Sequence, residues 1–444
     1  PDGIHVVEHI DRLIEILNAV WPMYAAMPAI LKEAVECAYR NMGWNLLDST
    51  CKYPVRVFPD FEDLLDVLPD IINSSDYSQE MKGNYAGALL TRVRSLTNGY
   101  FRTIFQKDEI AGDVLFDQPC IVDLSRVGSS ETKSMLMGVV FLKLQEYRMA
   151  NEESANCGLK HITVLEEAHN LLRRSSSEQS QEGANLQGKS VEMIANAIAE
   201  MRTYGEAFVI ADQAPGLLDQ SVIRNTNTKI IHRLPDWEDR QLVGKAANLK
   251  AEQLEELARL PTGCAAVYQN NWLEAVLCQI QEFPSGNILP FVCKTNGCRM
   301  RDTKKRRRTA FAQILLTARF SGRPVAEIAS ERKEPIESFI PYFASIVDAI
   351  THGKDSKEWL LCHIRDVLHV RTVIGTLKEK EGKRWVKKLL NGVSEQIEVK
   401  ELTENERVGL VAAVFDILAR EQPSNRETWL SIIGEAEKWK GVLA

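Results

Sequence analysis

"HITVLEEAHN", residues 161–170, decides how the rest of this chain is read. Mostly apolar residues run into Glu166, Glu167, Ala168 and His169. A short apolar run with flanking polar residues reads as a buried strand of a parallel sheet. Two carboxylates at the exit of such a strand are costly unless they have a role. In open α/β sheets that exit is where ligands bind. One acid there can hold Mg²⁺ through water, and the next can polarise a water that attacks a phosphate. Two solvated glutamates at a strand end are the plainer alternative.

Strand and helix patterns alternate outward from this run. "CIVDLS" (120–125) reads as a buried strand, followed by the helix "ETKSMLMGVVFLKLQEYRM". Downstream, the helix "VEMIANAIAEMRTYG" stops at Gly205, and "AFVIADQ" and "TKIIHRL" read as strands. "CAAVYQ" and "LEAVLCQI" close the region near residue 280. Alternation of this kind predicts βαβ units, hence an α/β fold with a mostly parallel sheet and helices on both faces. Residues 1–118 read as helices, among them "HIDRLIEILNAVW", "PAILKEAVECAYRNMGW" and a helix ending at Asn98-Gly99. The expected divisions are a helical part at 1–118, an α/β core at 119–290 and a mostly helical C-terminal domain at 291–444, entered through a basic linker at 299–308.

With 444 residues, 45% hydrophobic and 26% charged, the chain has the composition of a globular protein of two or three domains. No apolar run reaches the roughly 18 residues of a membrane span. Nine scattered cysteines and no signal peptide predict a cytoplasmic protein. The net charge of −7 argues against a wholly basic nucleic-acid coat, but not against a local basic channel. The chain opens at "PDGIHVVEHI" without Met, so a start further upstream is expected.

"GANLQGKS" (183–190) fits the phosphate-loop pattern G-x-x-x-x-G-K-[ST]. Such a loop must leave a strand and open a helix, but the nearest strand pattern ends sixteen residues earlier, at Glu167. Two other readings stay open. Ser190 can cap the following helix. Alternatively a mobile loop can carry Lys189 to a polyanion such as a DNA backbone. Cys293 and Cys298 form a C-x4-C pair with no second pair, too little for zinc. "KKRRR" (304–308) reads as a solvated linker or as a contact for nucleic acid or an acidic partner.

Taken together, "VLEEAHNLL", "AEMRTYGEAFVIADQAPGLLDQSVIRNTNTKIIHRL", "IVDLSRVG", "LLTRVRSLTNG" and the early helices resemble the HerA/FtsK-type P-loop ATPases, especially the HerA-like branch, over residues 5 to about 285. The resemblance implies a RecA-like core in which "VLEEAH" is the Walker B strand. It gives Glu166 the metal-side position, Glu167 the catalytic-base position and Gln213 the γ-phosphate sensor position. Arg202 matches an arginine that reaches the ATP of a neighbouring subunit, and Arg224 and Arg233 are further nucleotide-contact candidates. The implied cofactors are ATP and Mg²⁺. The implied partners are DNA, copies of the chain in a hexameric ring, and a nuclease or other effector in DNA processing or anti-phage defence. Conjugation-type motors share parts of the pattern, and a scaffold that keeps the fold without hydrolysing ATP is the alternative that needs no enzyme. In this family the Walker A loop precedes Walker B by well over a hundred residues, so it is expected before Pro1 rather than at 183–190. The placement would leave 183–190 as a pore-facing loop.

Overall fold

Local sequence signals start and stop the helices of the N-terminal part. In the computed structural model, which describes residues 3–21, 23–53, 56–99, 101–105, 109–151, 157–174, 181–282, 303–354, 356–368, 383–394, 396–421 and 427, this part comprises α1 (Val6–Val20) and α2 (Met27–Asn41), a small antiparallel hairpin of β1 (Trp44–Asn45) and β2 (Thr50–Cys51), then α3 (Phe61–Ser74), α4 (Gln79–Thr97), the short α5 (Gly112–Phe116) and α6 (Ser130–Ala150). Asp60 and Asp63 form a reciprocal capping box at the start of α3. Ser78 and Ser129 accept the backbone N–H groups of Met81 and Thr132 at the starts of α4 and α6. The helix α4 ends at Asn98, and Gly99 turns the chain with a φ of 57°. Ile10, Leu17, Trp21, Leu31, Leu68 and Tyr85 fill the core between these helices.

The middle of the chain contains β3 (His161–Glu166), α7 (Gln181–Glu200), β4 (Glu206–Ala211), α8 (Gln220–Asn225), β5 (Thr228–Ile231), α9 (Trp237–Ala246), α10 (Ala251–Glu256), β6 (Cys264–Gln269) and β7 (Val276–Gln279). The strands β3 and β4 pair in parallel, with His161 opposite Glu206 and Glu166 opposite Ala211. On one face Leu165, Phe208 and Ile210 meet Ile16 of α1, Phe141 of α6, and Val191 and Ile194 of α7. Gly138 lets α6 approach α1 closely, since a Cβ there would lie 2.5 Å from Ile16 Cγ2. The other face is bare among the described residues: Ile162, Val164 and Val209 are about half exposed, at 51%, 55% and 49%. The expected α/β layering thus holds for one face of this sheet, while the second helical layer does not occur among the described residues.

A buried carboxylate anchors the opposite end of the pair. Glu206 accepts hydrogen bonds from Arg148 Nε at 3.1 Å and Thr163 Oγ1 at 2.7 Å, and it pairs with His161 Nδ1 at 2.7 Å. Arg148 also donates to Asp117 and to the Phe116 carbonyl, which ties α5 and α6 to the strand starts. A carboxylate this buried is tolerable because donors surround it. Gly205 enters β4 with a φ of 77°, and a Cβ there would lie 2.5 Å from the Gly158 carbonyl oxygen.

Four features depart from the sequence expectations. "CIVDLS" joins no ladder, with Ile121 and Val122 exposed at 70% and 51%. Asp123 Oδ1 accepts the Ser125 N–H at 2.8 Å, and this Asx-type turn bends the run before it can extend. The later strands form their own antiparallel sheet, β5–β6–β7, instead of extending a parallel one. The link between β6 and β7 is short enough only for a hairpin, and α9 and α10 pack on this sheet through Ala247, Leu254 and Leu257. "GANLQGKS" lies inside α7 and is neither a loop nor a helix start. Lastly, "KKRRR" lies at the start of a helix, and three of its residues find acidic partners.

That helix is α11 (Thr303–Ser321), and α12 (Val325–Glu331), α13 (Ile340–Thr351), α14 (Lys357–Val367) and the helices Lys383–Val393 and Glu404–Glu421 follow it. Phe311 stacks on Phe339 and on Phe343, with centroids 4.8 Å apart in both cases, in a core shared with Val411 and Phe415. Lys305 pairs with Glu398, Arg307 with Glu334, and the buried Arg308 with Glu62 of α3. Residues 299–302 of the expected linker, the boundary near 290, Cys293 and Cys298 lie outside the described residues. No described helix is long and apolar enough to cross a membrane.

Candidate nucleotide site at the strand ends

Register places the exits of β3 and β4 side by side. Glu166 is the last ladder residue of β3 and shares the bare face with Ile162 and Val164. The next residue, Glu167, turns sharply with φ 50° and ψ 51°. This left-handed conformation is uncommon for a residue with a Cβ and marks positions held by their surroundings. A single 3₁₀ turn over Ala168–Asn170 follows, closed by Asn170 N–H donating to the Glu167 carbonyl at 3.0 Å. Asn170 Nδ2 donates to the same carbonyl at 2.9 Å. Ala168 is fully buried beneath the turn.

Asp212 and Gln213 leave β4 beside this turn. The Gln213 Nε2 group donates to Glu167 Oε1 at 2.9 Å. Asp212, whose side chain is only 3% exposed, accepts the His169 backbone N–H at 2.8 Å and pairs with His169 Nδ1 at 2.9 Å, both through Oδ2. Its Oδ1 accepts the Ala214 N–H at 2.9 Å. The His169 ring also lies 3.5 Å from Glu167 Oε2. Glu167, His169 and Asp212 each offer a ligand atom, all within 4.8 Å of one another, so these three could hold a metal ion. Oxygen donors suit Mg²⁺, whereas the imidazole suits a transition metal better. Glu166 is not among the three, and strand alternation turns it to the bare face.

The structure therefore brings Glu167 and Gln213 together and leaves the other predicted residues apart. Arg202 is exposed on the 3₁₀ turn Met201–Tyr204, before β4 begins. Six residue steps of roughly 3.3 Å each separate the start of β4 from Asp212, so Arg202 stands about 20 Å from Glu167 along the strands. At that separation its side chain does not reach Glu167 of the same chain. Arg224 is exposed on α8 and donates to Gln220 Oε1, one turn away. Arg233 is exposed just beyond β5. Lys189 is exposed on α7, while its neighbour Ser190 is fully buried and donates to Glu15 Oε2 of α1 at 2.6 Å. Sequence reasoning assigned no role to His169 or Asp212. The signal for them was present in "EEAH" and "ADQ", two polar strand ends that parallel pairing in this register brings into contact.

The chain is 23% identical over 262 residues to the DNA double-strand break repair helicase HerA of Sulfurisphaera tokodaii, covering 53% of this chain and 50% of the relative. It thus spans about half the length of the curated relative it matches. Among solved structures it is similar to VirB4 of Thermoanaerobacter pseudethanolicus, with a TM-score of 0.45 and 14% identity, over 63% of this chain and 70% of that one. No protein-family profile matches the chain. The sequence motifs and the HerA relative agree: the chain resembles a HerA/FtsK-type P-loop ATPase.

Proposed function

We propose that this chain carries the water-activating half of an ATPase site in a DNA-translocating motor of the HerA-like type. The observation that carries the reading is the hydrogen bond between Glu167 and Gln213 across two parallel strand ends. A general base and a γ-phosphate sensor need that adjacency, because both must meet the same reacting centre. Glu167 accepts the proton of the attacking water. Gln213 orients that water and contacts the terminal phosphate. Glu166 is given the metal-side role by the resemblance alone, since it faces the bare side of the sheet away from Glu167, His169 and Asp212, and Mg²⁺, when bound, would neutralise phosphate charge.

Arg202 serves the site of a neighbouring subunit. A guanidinium supplied in trans offsets transition-state charge and is worth roughly 10³–10⁵ in rate. Its distance from Glu167 within one chain supports an arrangement of copies in a ring, which we take to be hexameric. Arg224 and Arg233 would contact nucleotide at the same interface. The exposed Lys189 contacts the DNA backbone from a helix. The nucleotide phosphates need a loop other than 183–190, because that segment is helical and buries its serine. A nuclease or other effector is the expected partner, in DNA processing or anti-phage defence in the cytoplasm.

The test is phosphate release by the full-length protein, with and without DNA. Glu167→Gln should lower turnover by about 10²–10⁴ while nucleotide binding persists. Turnover of that variant within a factor of about three of the unmodified protein would refute the reading.

A further inference from the structure

The turn that aims Glu167 is held by the contact between Asp212 and His169. The Asp212 side chain is only 3% exposed, and a buried carboxyl group is costly unless its oxygens are satisfied. Its Oδ2 is shared by the backbone N–H and the ring Nδ1 of His169, and its Oδ1 takes the Ala214 N–H. One carboxylate thus fixes both the main chain and the ring of the residue two positions after Glu167. The 3₁₀ turn between them is a single turn long, so a shift at His169 is passed directly to Glu167. The Glu167 backbone is left-handed, a conformation that is costly for a residue with a Cβ and needs its surroundings to hold it. The Glu167 carboxylate accepts from Gln213 on Oε1, and its Oε2 lies 3.5 Å from the same His169 Nδ1 that pairs with Asp212.

We propose that Asp212 and His169 form the positioning pair of this site: Asp212 fixes the main chain and ring of His169, and the anchored His169 holds the left-handed turn that aims the Glu167 carboxylate. The inference rests on the reading of Glu167 as the base. A ring with its Nδ1–H directed at Asp212 keeps Nε2 free, so the pair orients without consuming the second nitrogen. Removal of either member leaves nucleotide binding intact but misplaces the carboxylate. A displacement of about 1 Å costs on the order of 100-fold in turnover.

The experiment compares steady-state ATP hydrolysis and nucleotide binding for the full-length protein and its Glu167→Gln, Asp212→Ala, Asp212→Asn and His169→Ala variants. We expect Asp212→Ala and His169→Ala to lose about 100-fold in kcat while KM and nucleotide affinity stay within about threefold. Asp212→Asn keeps a carbonyl acceptor in place of Oδ2 and should recover to within about tenfold of the unmodified protein. Nitrogen-15 spectra of the histidine rings should place the proton of His169 on Nδ1, and Asp212→Ala should remove that preference. If Asp212→Ala does not fold, Asp212→Asn and His169→Ala carry the comparison.

Full kcat in His169→Ala beside an inactive Glu167→Gln would overturn the pairing while sparing the base. Recovery of Asp212→Ala by higher Mg²⁺ or Mn²⁺ would overturn it too, by making Asp212 a metal ligand. Full turnover in Glu167→Gln would instead remove the base reading, and the pairing with it.

Discussion

Ser190→Ala discriminates between the roles open to "GANLQGKS". The hydroxyl is fully buried and donates to Glu15 Oε2 at 2.6 Å, joining α7 to α1 across 175 positions of sequence. A hydrogen bond to a charged group contributes roughly 1.5–3 kcal/mol, and the partly buried Glu15 recovers some of that from water, so about 1.5 kcal/mol is expected. At about 2–4 °C per kcal/mol for a unit of 150–250 residues, the melting temperature should fall by roughly 3–6 °C. Calorimetry of Ser190→Ala, Glu15→Gln and the double variant measures this directly. The two single effects should not add, since each removes the same bond. Fluorescent-nucleotide binding, followed on the same samples, should not change. A melting temperature within about 1 °C of the unmodified protein would refute the buried-bond account. Loss of nucleotide binding in a folded Ser190→Ala protein would restore the phosphate-loop reading.

Three further outcomes are expected. Arg202→Ala and Glu167→Gln subunits, each inactive alone, should regain some hydrolysis when mixed, because a mixed interface can combine an intact arginine with an intact glutamate; mixed assemblies that form but stay inactive would place Arg202 in a structural role. Lys189→Ala should leave basal hydrolysis unchanged and make DNA affinity less sensitive to salt, the slope of log K against log salt concentration shrinking by about one unit for each phosphate no longer neutralised; an unchanged slope would remove Lys189 from the DNA surface. Asp117 is pushed up by partial burial but held below its ordinary value near 3.8 by hydrogen bonds from Tyr147 and Arg148. A lowered carboxylate stabilises the fold above its unfolded value and loses that contribution as pH falls through the folded one. Asp117→Asn should therefore flatten the acid limb of the stability curve below about pH 4, and an unchanged limb would count against the bond.

How much of this was legible in the sequence differs from element to element. β3 and β4 were readable because apolar runs with polar ends have few other uses, and Glu167 and Gln213 followed from those ends. The Asp212–His169 contact was not readable, since it depends on pairing register, which no single strand encodes. Context still argues against a phosphate loop at "GANLQGKS", but the loop reading that replaced it overlooked the helix propensity of the segment. Ala184, Leu186, Gln187 and Lys189 favour helix, and two glycines cost only about 1 kcal/mol each. The buried positions Ser190, Val191, Ile194 and Ala195 continue the helical spacing that anchors the segment. "CIVDLS" misled for a different reason. Its apolar pattern was correct for a strand, but Asp123 and Ser125 supplied a competing turn.

The left-handed backbone of Glu167 sets thermostability against turnover at one position. A Cβ in that conformation costs roughly 1–2 kcal/mol that glycine does not incur. Net of the roughly 0.5–1 kcal/mol of extra unfolded-chain entropy that glycine brings, Glu167→Gly should melt no lower than the unmodified protein while being unable to activate water. Directed evolution that screens only for heat resistance would not oppose the loss of this side chain, so a stabilised variant of this protein has to be selected on turnover as well.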